Sequence, residues 1–120
     1  MGLLRYVVGV GMAVAGLLHF AYATFYVQVF PPWVPANWLL PLVWASGLAE
    51  VAVGLLLTYT STNRWGRWGL LGLMVAFLLL HLYHLHEPPP ALGLPGWAYG
   101  LRAAVQVVLV WLCLKWIGVR

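Results

Sequence analysis

Four runs of mostly apolar residues, each long enough to cross a bilayer as a helix, make up most of this chain. They are Leu4–Val27, Trp38–Tyr59, Trp65–Leu85 and Gly96–Ile117. Hydrophobic residues make up 64% of the sequence and charged residues only 7%, which is too little charge to keep a soluble domain dispersed. The sequence therefore predicts a multi-pass membrane protein with a single domain, residues 1–120, in contact with the lipid bilayer.

The basic residues predict how the protein is oriented in the membrane. Most of them lie at one end of the predicted helices, and the loops at the other end, 28–37 and 86–95, contain no Lys or Arg. The cations at this one end are Arg5, Arg64, Arg67, Lys115 and Arg120. By the positive-inside rule both termini are cytoplasmic, which fits the plasma (inner) membrane of a prokaryote. The cations are dispersed, so they give no basis for nucleic-acid binding.

Small residues within the apolar runs predict how the helices pack. Helices in lipid associate through small side chains that let their backbones approach. Such residues occur at suitable spacings in the first three runs: Gly11, Ala15, Gly47, Gly54, Gly72 and Ala76. With short connections between them, four such helices form an antiparallel bundle. The predicted fold class is therefore all-α, an integral membrane antiparallel four-helix bundle.

One of the two acidic residues, Glu50, lies near the middle of the second run. A charged side chain at the centre of a bilayer costs roughly 3 kcal/mol on insertion scales unless it faces protein or water. Ser46, Gly47 and Gly54 surround it at helical spacing, which indicates an interior face of the helix. Glu50 is therefore a candidate functional residue.

The other three runs also contain polar residues in the half away from the cations. His19 lies in the first run, His81 in the third, and Arg102 and Gln106 in the fourth. With Glu50 they predict a polar pocket in the outer half, suited to hydrogen bonding with a carbonyl-bearing ligand such as a quinone, or to proton exchange between Glu50 and a histidine. A structural interpretation stays open, in which Glu50 pairs with Arg102 or hydrogen bonds to His19 and stabilises the bundle.

A metal site is a second alternative, at the end of the third run. His81, His84 and Glu87 recur at i, i+3 and i+6, and two imidazoles with a carboxylate suit zinc or iron. His81 and His84 together with His19 could instead hold a heme. Because the spacing matches no established zinc motif, the leading hypothesis assigns no metal. Cys113, the single cysteine, excludes an internal disulfide and predicts a small buried apolar side chain.

Several short motifs follow one another in order along the chain. They are Gly16-Leu-Leu-His19-Phe20, Phe30-Pro-Pro-Trp33-Val-Pro35, Ser46-Gly47-x-x-Glu50 with Gly54, and Leu101-Arg102-x-x-x-Gln106. In this ordered set the sequence resembles the DoxX-like membrane proteins, over nearly its whole length. It departs from them in the third helix, where many relatives have Phe-Pro-Ala-Asn and this chain reads Phe77-Leu-Leu-Leu80-His81. His81 is the candidate replacement for the missing asparagine.

The resemblance implies a four-helix inner-membrane protein with His19, Glu50, Arg102 and Gln106 as site residues. Some members of that family are described as subunits of a thiosulfate:quinone oxidoreductase, and others are linked to redox or stress systems. The leading hypothesis is a redox-associated membrane protein whose outer-half pocket binds a quinone-like or other small apolar ligand. As an enzyme it would be a quinone-linked oxidoreductase subunit that needs a partner chain. The alternative is a non-catalytic membrane subunit or scaffold for a partner protein, and the oligomeric state, a homo-oligomer included, stays open.

Overall fold

Long helices formed by the four apolar runs dominate the structure. A computed structural model describes residues 2–118; helix accounts for 84% of them, and this part of the chain contains no strand. The helices are α1 (Gly2–Ala21), α2 (Ala23–Tyr26), α3 (Ala36–Thr58), α4 (Asn63–His86) and α5 (Gly96–Ile117). All except the short α2 are long and apolar enough to cross a membrane, so the prediction of an all-helical, multi-pass membrane protein is confirmed. Arg120, one of the cations used to predict the orientation, lies outside the described residues.

The first long helix is shorter than predicted. The apolar run continues to Val27, but α1 ends at Ala21, and Tyr22 leaves the helical region with ψ at 38°. The 20 residues of α1 already span the hydrocarbon core, at a rise of about 1.5 Å each. The rest of the run forms α2 and a 3₁₀ turn, Val27–Val29, which both contact α3. The other predicted helix ends lie within two residues of the observed ones.

Proline and glycine mark the ends of two helices. Pro35 directly precedes α3, and Pro95 directly precedes α5. The fixed φ of proline is compatible with a helix start, where its missing N–H removes no helical hydrogen bond. Gly118 ends α5 with φ at 100°, and its N–H donates to the carbonyl oxygens of Leu114 and Lys115. Glycine adopts this left-handed conformation without the steric cost of a side chain.

Paired glycines bring α1 and α3 into backbone contact. Gly9 and Gly16 on α1 and Gly47 and Gly54 on α3 are all buried. A Cβ added to Gly54 would meet Gly9, and a Cβ added to Gly47 would meet Gly16, so the two helices run antiparallel. Gly9 and Gly16 are seven residues apart on α1, and Gly47 and Gly54 are seven residues apart on α3. Seven residues make about two turns, so the two glycines of each helix lie on one face. The predicted packing roles of Gly47 and Gly54 are confirmed.

Gly11 and Gly72, which the sequence predicts to lie between helices, point away from the other helices. A Cβ added to Gly11 or Gly72 would meet no atom within 4 Å. Gly11 lies two residues beyond Gly9, which places it about 200° around the helix and off the face that meets α3. Ala15 and Ala76 line a cavity that side chains of all four long helices surround. The prediction that Gly11 and Gly72 pack between helices is wrong.

Helix α4 packs against both α3 and α5. Gly66 at the start of α4 lies against the backbone of Leu57 near the end of α3. Arg67 Nη1 donates a hydrogen bond to the carbonyl oxygen of Trp116 at the end of α5, over 2.9 Å. Each contact joins the start of one helix to the end of its neighbour, so α3, α4 and α5 also run antiparallel in turn.

The two ends of the helices differ in what they contain. The end at which α1 begins and α5 ends, with the turn 59–62, is called the terminal end, and the end with the loops 27–35 and 87–95 is the loop end. The buried apolar core lies on the terminal side: Val53, Leu57, Leu70, Met74 and Cys113, with side chains of α1 packed against it. Cys113 is buried in this core, as predicted.

Candidate functional site

A cavity of about 460 Å³ lies in the loop half, and side chains from all four long helices line it. Most of the lining is apolar and aromatic. The polar members are Tyr26, His19, Ser46, Glu50, His81, His84 and Arg102. Small-molecule sites in proteins are commonly about 300–1,000 Å³ in volume, mostly apolar, with a few polar groups that fix the orientation of the ligand. The cavity has this character.

His19 and Glu50 form the polar part of the wall made by α1 and α3. His19 Nδ1 lies 2.9 Å from the carbonyl oxygen of Ala15 and 2.9 Å from Glu50 Oε2. This nitrogen carries at most one hydrogen, and its direction fits a hydrogen bond to Ala15. Glu50 Oε2 is therefore close to His19 but has no hydrogen-bond partner among residues 2–118. Because Glu50 is only 4% exposed, its carboxyl group is a buried polar group left partly unsatisfied beside a cavity.

Tyr26, which the sequence did not single out, covers His19 from the loop side. The two rings stack with centroids 4.0 Å apart and planes 14° apart. Desolvation by burial raises the pKa of the Tyr26 phenol above its usual value, and the nearby charge of Glu50 raises it further. The hydroxyl group therefore stays neutral near pH 7 and can donate or accept a hydrogen bond. Tyr26 reaches this position because the chain turns at Tyr22, a break for which the apolar run gave no signal.

His84 and Arg102 form the polar part of the wall made by α4 and α5. His84 Nε2 donates a hydrogen bond to the carbonyl oxygen of Val29 over 2.9 Å, which leaves Nδ1 as an acceptor. Arg102 Nη1 lies 3.4 Å from this Nδ1 and donates to it. His84 is 1% exposed, so its side of this contact between α4 and the 3₁₀ turn is buried. On the same helix, His81 Nδ1 is buried and has no hydrogen-bond partner within the described part of the chain.

The structure brings together four of the five predicted site residues. His19, Glu50, His81 and Arg102 all line the cavity. Gln106 lies outside it, and its Nε2 donates a hydrogen bond to the carbonyl oxygen of Met74 over 2.9 Å. Gln106 is one turn further from the loop end than Arg102, or about 6 Å, so its amide reaches the packed face of α4 and not the cavity.

The two structural alternatives for Glu50 have different outcomes. Within residues 2–118 the one contact between a basic side chain and a carboxylate is that of His19 with Glu50. Arg102 shares the cavity but donates to His84 instead. Glu50 is therefore in contact with His19, over 2.9 Å, although the direction of Nδ1 fits a hydrogen bond to Ala15. An ion pair of Glu50 with Arg102 is not formed.

The metal hypothesis gains no support from the geometry. In the described part of the chain no group of three or more His, Cys, Asp or Glu side chains is placed to hold a metal ion. The rings of His81 and His84 are 6.5 Å apart, but Glu87 accepts a hydrogen bond from the Tyr83 hydroxyl over 2.9 Å at the exposed end of α4. His19 stacks on Tyr26 on the opposite wall.

Four helices able to cross a membrane, with a polar cavity in one half, define a multi-pass membrane protein with a candidate ligand site. The chain belongs to the family described as Domain of unknown function (DUF8561), which matches residues 8–117. This match includes every polar residue that lines the cavity. No curated protein and no solved structure matches the chain significantly.

Proposed function

We propose that the loop-half cavity binds a small, largely apolar ligand that bears carbonyl oxygens, such as a quinone. Apolar and aromatic side chains would hold the ring of the ligand, and polar groups on two different walls would hold its oxygens. The guanidinium group of Arg102 is a donor only, which suits a carbonyl oxygen. The carboxyl group of Glu50 can accept a hydrogen bond from a hydroxyl group, as in the reduced form of such a ligand.

The observation that carries this proposal is a pair of buried polar atoms without partners. Glu50 Oε2 and His81 Nδ1 have no hydrogen-bond partner among residues 2–118, and both residues line the same cavity. A buried polar group left unpaired costs about 1–3 kcal/mol. A ligand that hydrogen bonds to both atoms would recover this free energy on binding, which is a reason for such a cavity to be kept.

A redox role is part of the same proposal, on the strength of the resemblance to DoxX-like proteins. Reduction of a quinone takes up two electrons and two protons. In this chain Glu50 and His19, 2.9 Å apart, are placed to exchange protons with a bound ligand. The electrons would come from a redox partner protein, so the chain would act as the membrane subunit of a quinone-linked oxidoreductase.

We also propose that the four long helices form one antiparallel bundle with both termini on the cytoplasmic side of a prokaryotic plasma membrane. The contacts between α1 and α3, α3 and α4, and α4 and α5 support this arrangement. Arg5, Arg64, Arg67 and Lys115 all lie at the terminal end, and the loops at the other end contain no Lys or Arg. This distribution of cations supports the orientation through the positive-inside rule.

The test compares Glu50→Gln with Glu87→Gln. Glu87 is the only other acidic residue in the sequence, and its side chain lies at an exposed position outside the cavity. We expect quinone binding to quench the tryptophan fluorescence of the wild-type protein and of Glu87→Gln on titration with a short-chain benzoquinone and with its reduced hydroquinone form. Glu50→Gln should bind the hydroquinone, whose hydroxyl groups can donate to the Glu50 carboxylate, at least about tenfold more weakly, which corresponds to about 1.4 kcal/mol. Native mass spectrometry of the gently purified protein would show whether a small molecule is retained. Equal binding by both variants would contradict the proposal.

A second candidate function is that of a non-catalytic membrane subunit or scaffold. It is favoured by the position of Glu50 one turn from Gly47, at the tight interface between α1 and α3, where the contact with His19 could fix helix register. In that case Glu50→Gln would lower the thermal stability of the protein in detergent, and no small molecule would be recovered with the wild type.

A further inference from the structure

Arginine side chains from two helices meet at the terminal end, far from the cavity. Arg5 on α1 and Arg67 on α4 line one small cleft of about 170 Å³, together with Asn63 and Trp116. Arg67 also lines an adjoining cleft of about 180 Å³, with Arg64. Each volume equals that of about six water molecules, which is comparable with a phosphate group and its first ester carbons.

The arginines in these clefts have donors to spare. Arg5 Nε and Arg67 Nε are buried and have no hydrogen-bond partner among residues 2–118. Arg67 is held in place by the hydrogen bond from its Nη1 to the carbonyl oxygen of Trp116. Each guanidinium group has five N–H donors in a planar fork, the geometry that matches phosphate and carboxylate oxygens.

No acidic residue balances this charge. The chain has two acidic residues, Glu50 in the loop half of α3 and Glu87 at the loop end of α4. Helix α4 adds to the positive potential, because its N-terminus points to the same cleft and has no acidic residue in its first turn. The preceding Thr62 does not cap this helix, since its hydroxyl group donates to the carbonyl oxygen of Leu56.

We propose that this cleft, lined by Arg5, Arg67 and the start of α4, binds the phosphate group of an anionic phospholipid. The phosphate oxygens would accept hydrogen bonds from both guanidinium groups and from the free N–H groups of the first turn of α4. A lipid is favoured over free phosphate by the surroundings: Trp65 and Trp68 flank this end of α4 and are 66% and 47% exposed, as expected for side chains at a membrane interface. The site is independent of the cavity and of the function proposed for it.

The experiment titrates the purified protein in a nonionic detergent with phosphatidylglycerol and counts bound lipids by native mass spectrometry. We expect the wild type to bind phosphatidylglycerol at least tenfold more tightly than phosphatidylcholine. The double variant Arg5→Gln/Arg67→Gln should lose this preference. Lys115→Gln is the matched control, because it removes one cation from the same end at an exposed position outside both clefts, and it should keep the preference.

Three results would overturn the proposal. The double variant removes two cations and Lys115→Gln only one, so a loss in Lys115→Gln of half that in the double variant or more would show that general electrostatic attraction explains the binding. Displacement of the lipid by inorganic phosphate at an equal concentration would exclude a lipid as the ligand. If the double variant does not fold, because Arg67 loses its bond to Trp116, then Arg5→Gln alone decides: unchanged preference for phosphatidylglycerol in this variant would reject the site.

Discussion

In the terminal half of the molecule Leu57 is fully buried among aliphatic side chains, whereas in the loop half Glu50 is buried beside a cavity. The same four helices build both halves. The glycine pairs hold α1 against α3 in both, with Gly9 and Gly54 in the terminal half and Gly16 and Gly47 in the loop half. The cavity therefore does not arise because α1 and α3 separate. It lies where histidine, glutamate and arginine side chains occur among apolar and aromatic ones.

The comparison shows how stability and function are divided along these helices. The apolar core of the terminal half satisfies its side chains by packing, which stabilises the fold. The loop half leaves Glu50 Oε2 and His81 Nδ1 without partners among residues 2–118, which gives up stability for groups that can bind a ligand. Substitutions in the apolar core of the terminal half should therefore change stability alone, and some around the cavity should change ligand binding more than stability.

The largest effect is expected at the interface that both halves share. A Cβ on Gly47 would lie 2.7 Å from His19 Cβ and 2.8 Å from the carbonyl oxygen of Gly16. Gly47→Leu should destabilise the protein by at least about 3 kcal/mol, the upper end of the range for overpacking, because backbone atoms must move. Equilibrium unfolding in detergent measures this. Gly72→Leu is the control and should be nearly neutral, since no atom lies within 4 Å of its Cβ position.

Leu57→Ala tests whether the apolar core of the terminal half serves stability alone. Leu57 is 0% exposed, and its truncation should lower the free energy of unfolding by about 2–5 kcal/mol through the cavity that it leaves. Binding of the benzoquinone probe should not change. Leu55→Ala, on the same helix but 51% exposed, should lose no more than about 0.5 kcal/mol. Similar losses in both variants would contradict the assignment of the core to this half.

His84→Phe tests a polar contact that belongs to the loop half. The variant leaves the carbonyl oxygen of Val29 without its donor and removes the acceptor for Arg102. We expect a loss of about 1–3 kcal/mol in unfolding free energy, together with weaker binding of the benzoquinone. His86→Phe, two residues along the chain at an exposed position, should change neither quantity. Unchanged binding in His84→Phe would place this wall outside the ligand site.

Gln106→Leu should have the smallest effect and sharpens the boundary between the halves. Hydrogen bonds between helices in a membrane protein contribute about 0.6 kcal/mol on average, so loss of the bond to Met74 should cost at most about 1 kcal/mol. Binding of the benzoquinone and of its reduced form should be unchanged, whereas Glu50→Gln weakens binding of the reduced form. A large loss of binding would return Gln106 to the site that the sequence predicted for it.

Much of the candidate site could be predicted from single residues. The cost of burying a charge in lipid pointed to Glu50, and the same argument found His19, His81 and Arg102, which all line the cavity. It also selected Gln106, because hydropathy cannot tell which way a buried polar side chain points. Tyr26 was missed, since its place over His19 depends on the turn of the backbone at Tyr22.

The sequence by itself determined the number of long helices, all of their ends except that of α1 to within two residues, and the polar residues placed within them. These follow from hydropathy and charge, which are properties of each short stretch of chain. Only the tertiary structure decided which glycines meet, which polar atoms find partners, and where a cavity remains. The physical reason is that these contacts join residues far apart in sequence, such as His84 and Val29, 55 positions apart, and no local pattern records them.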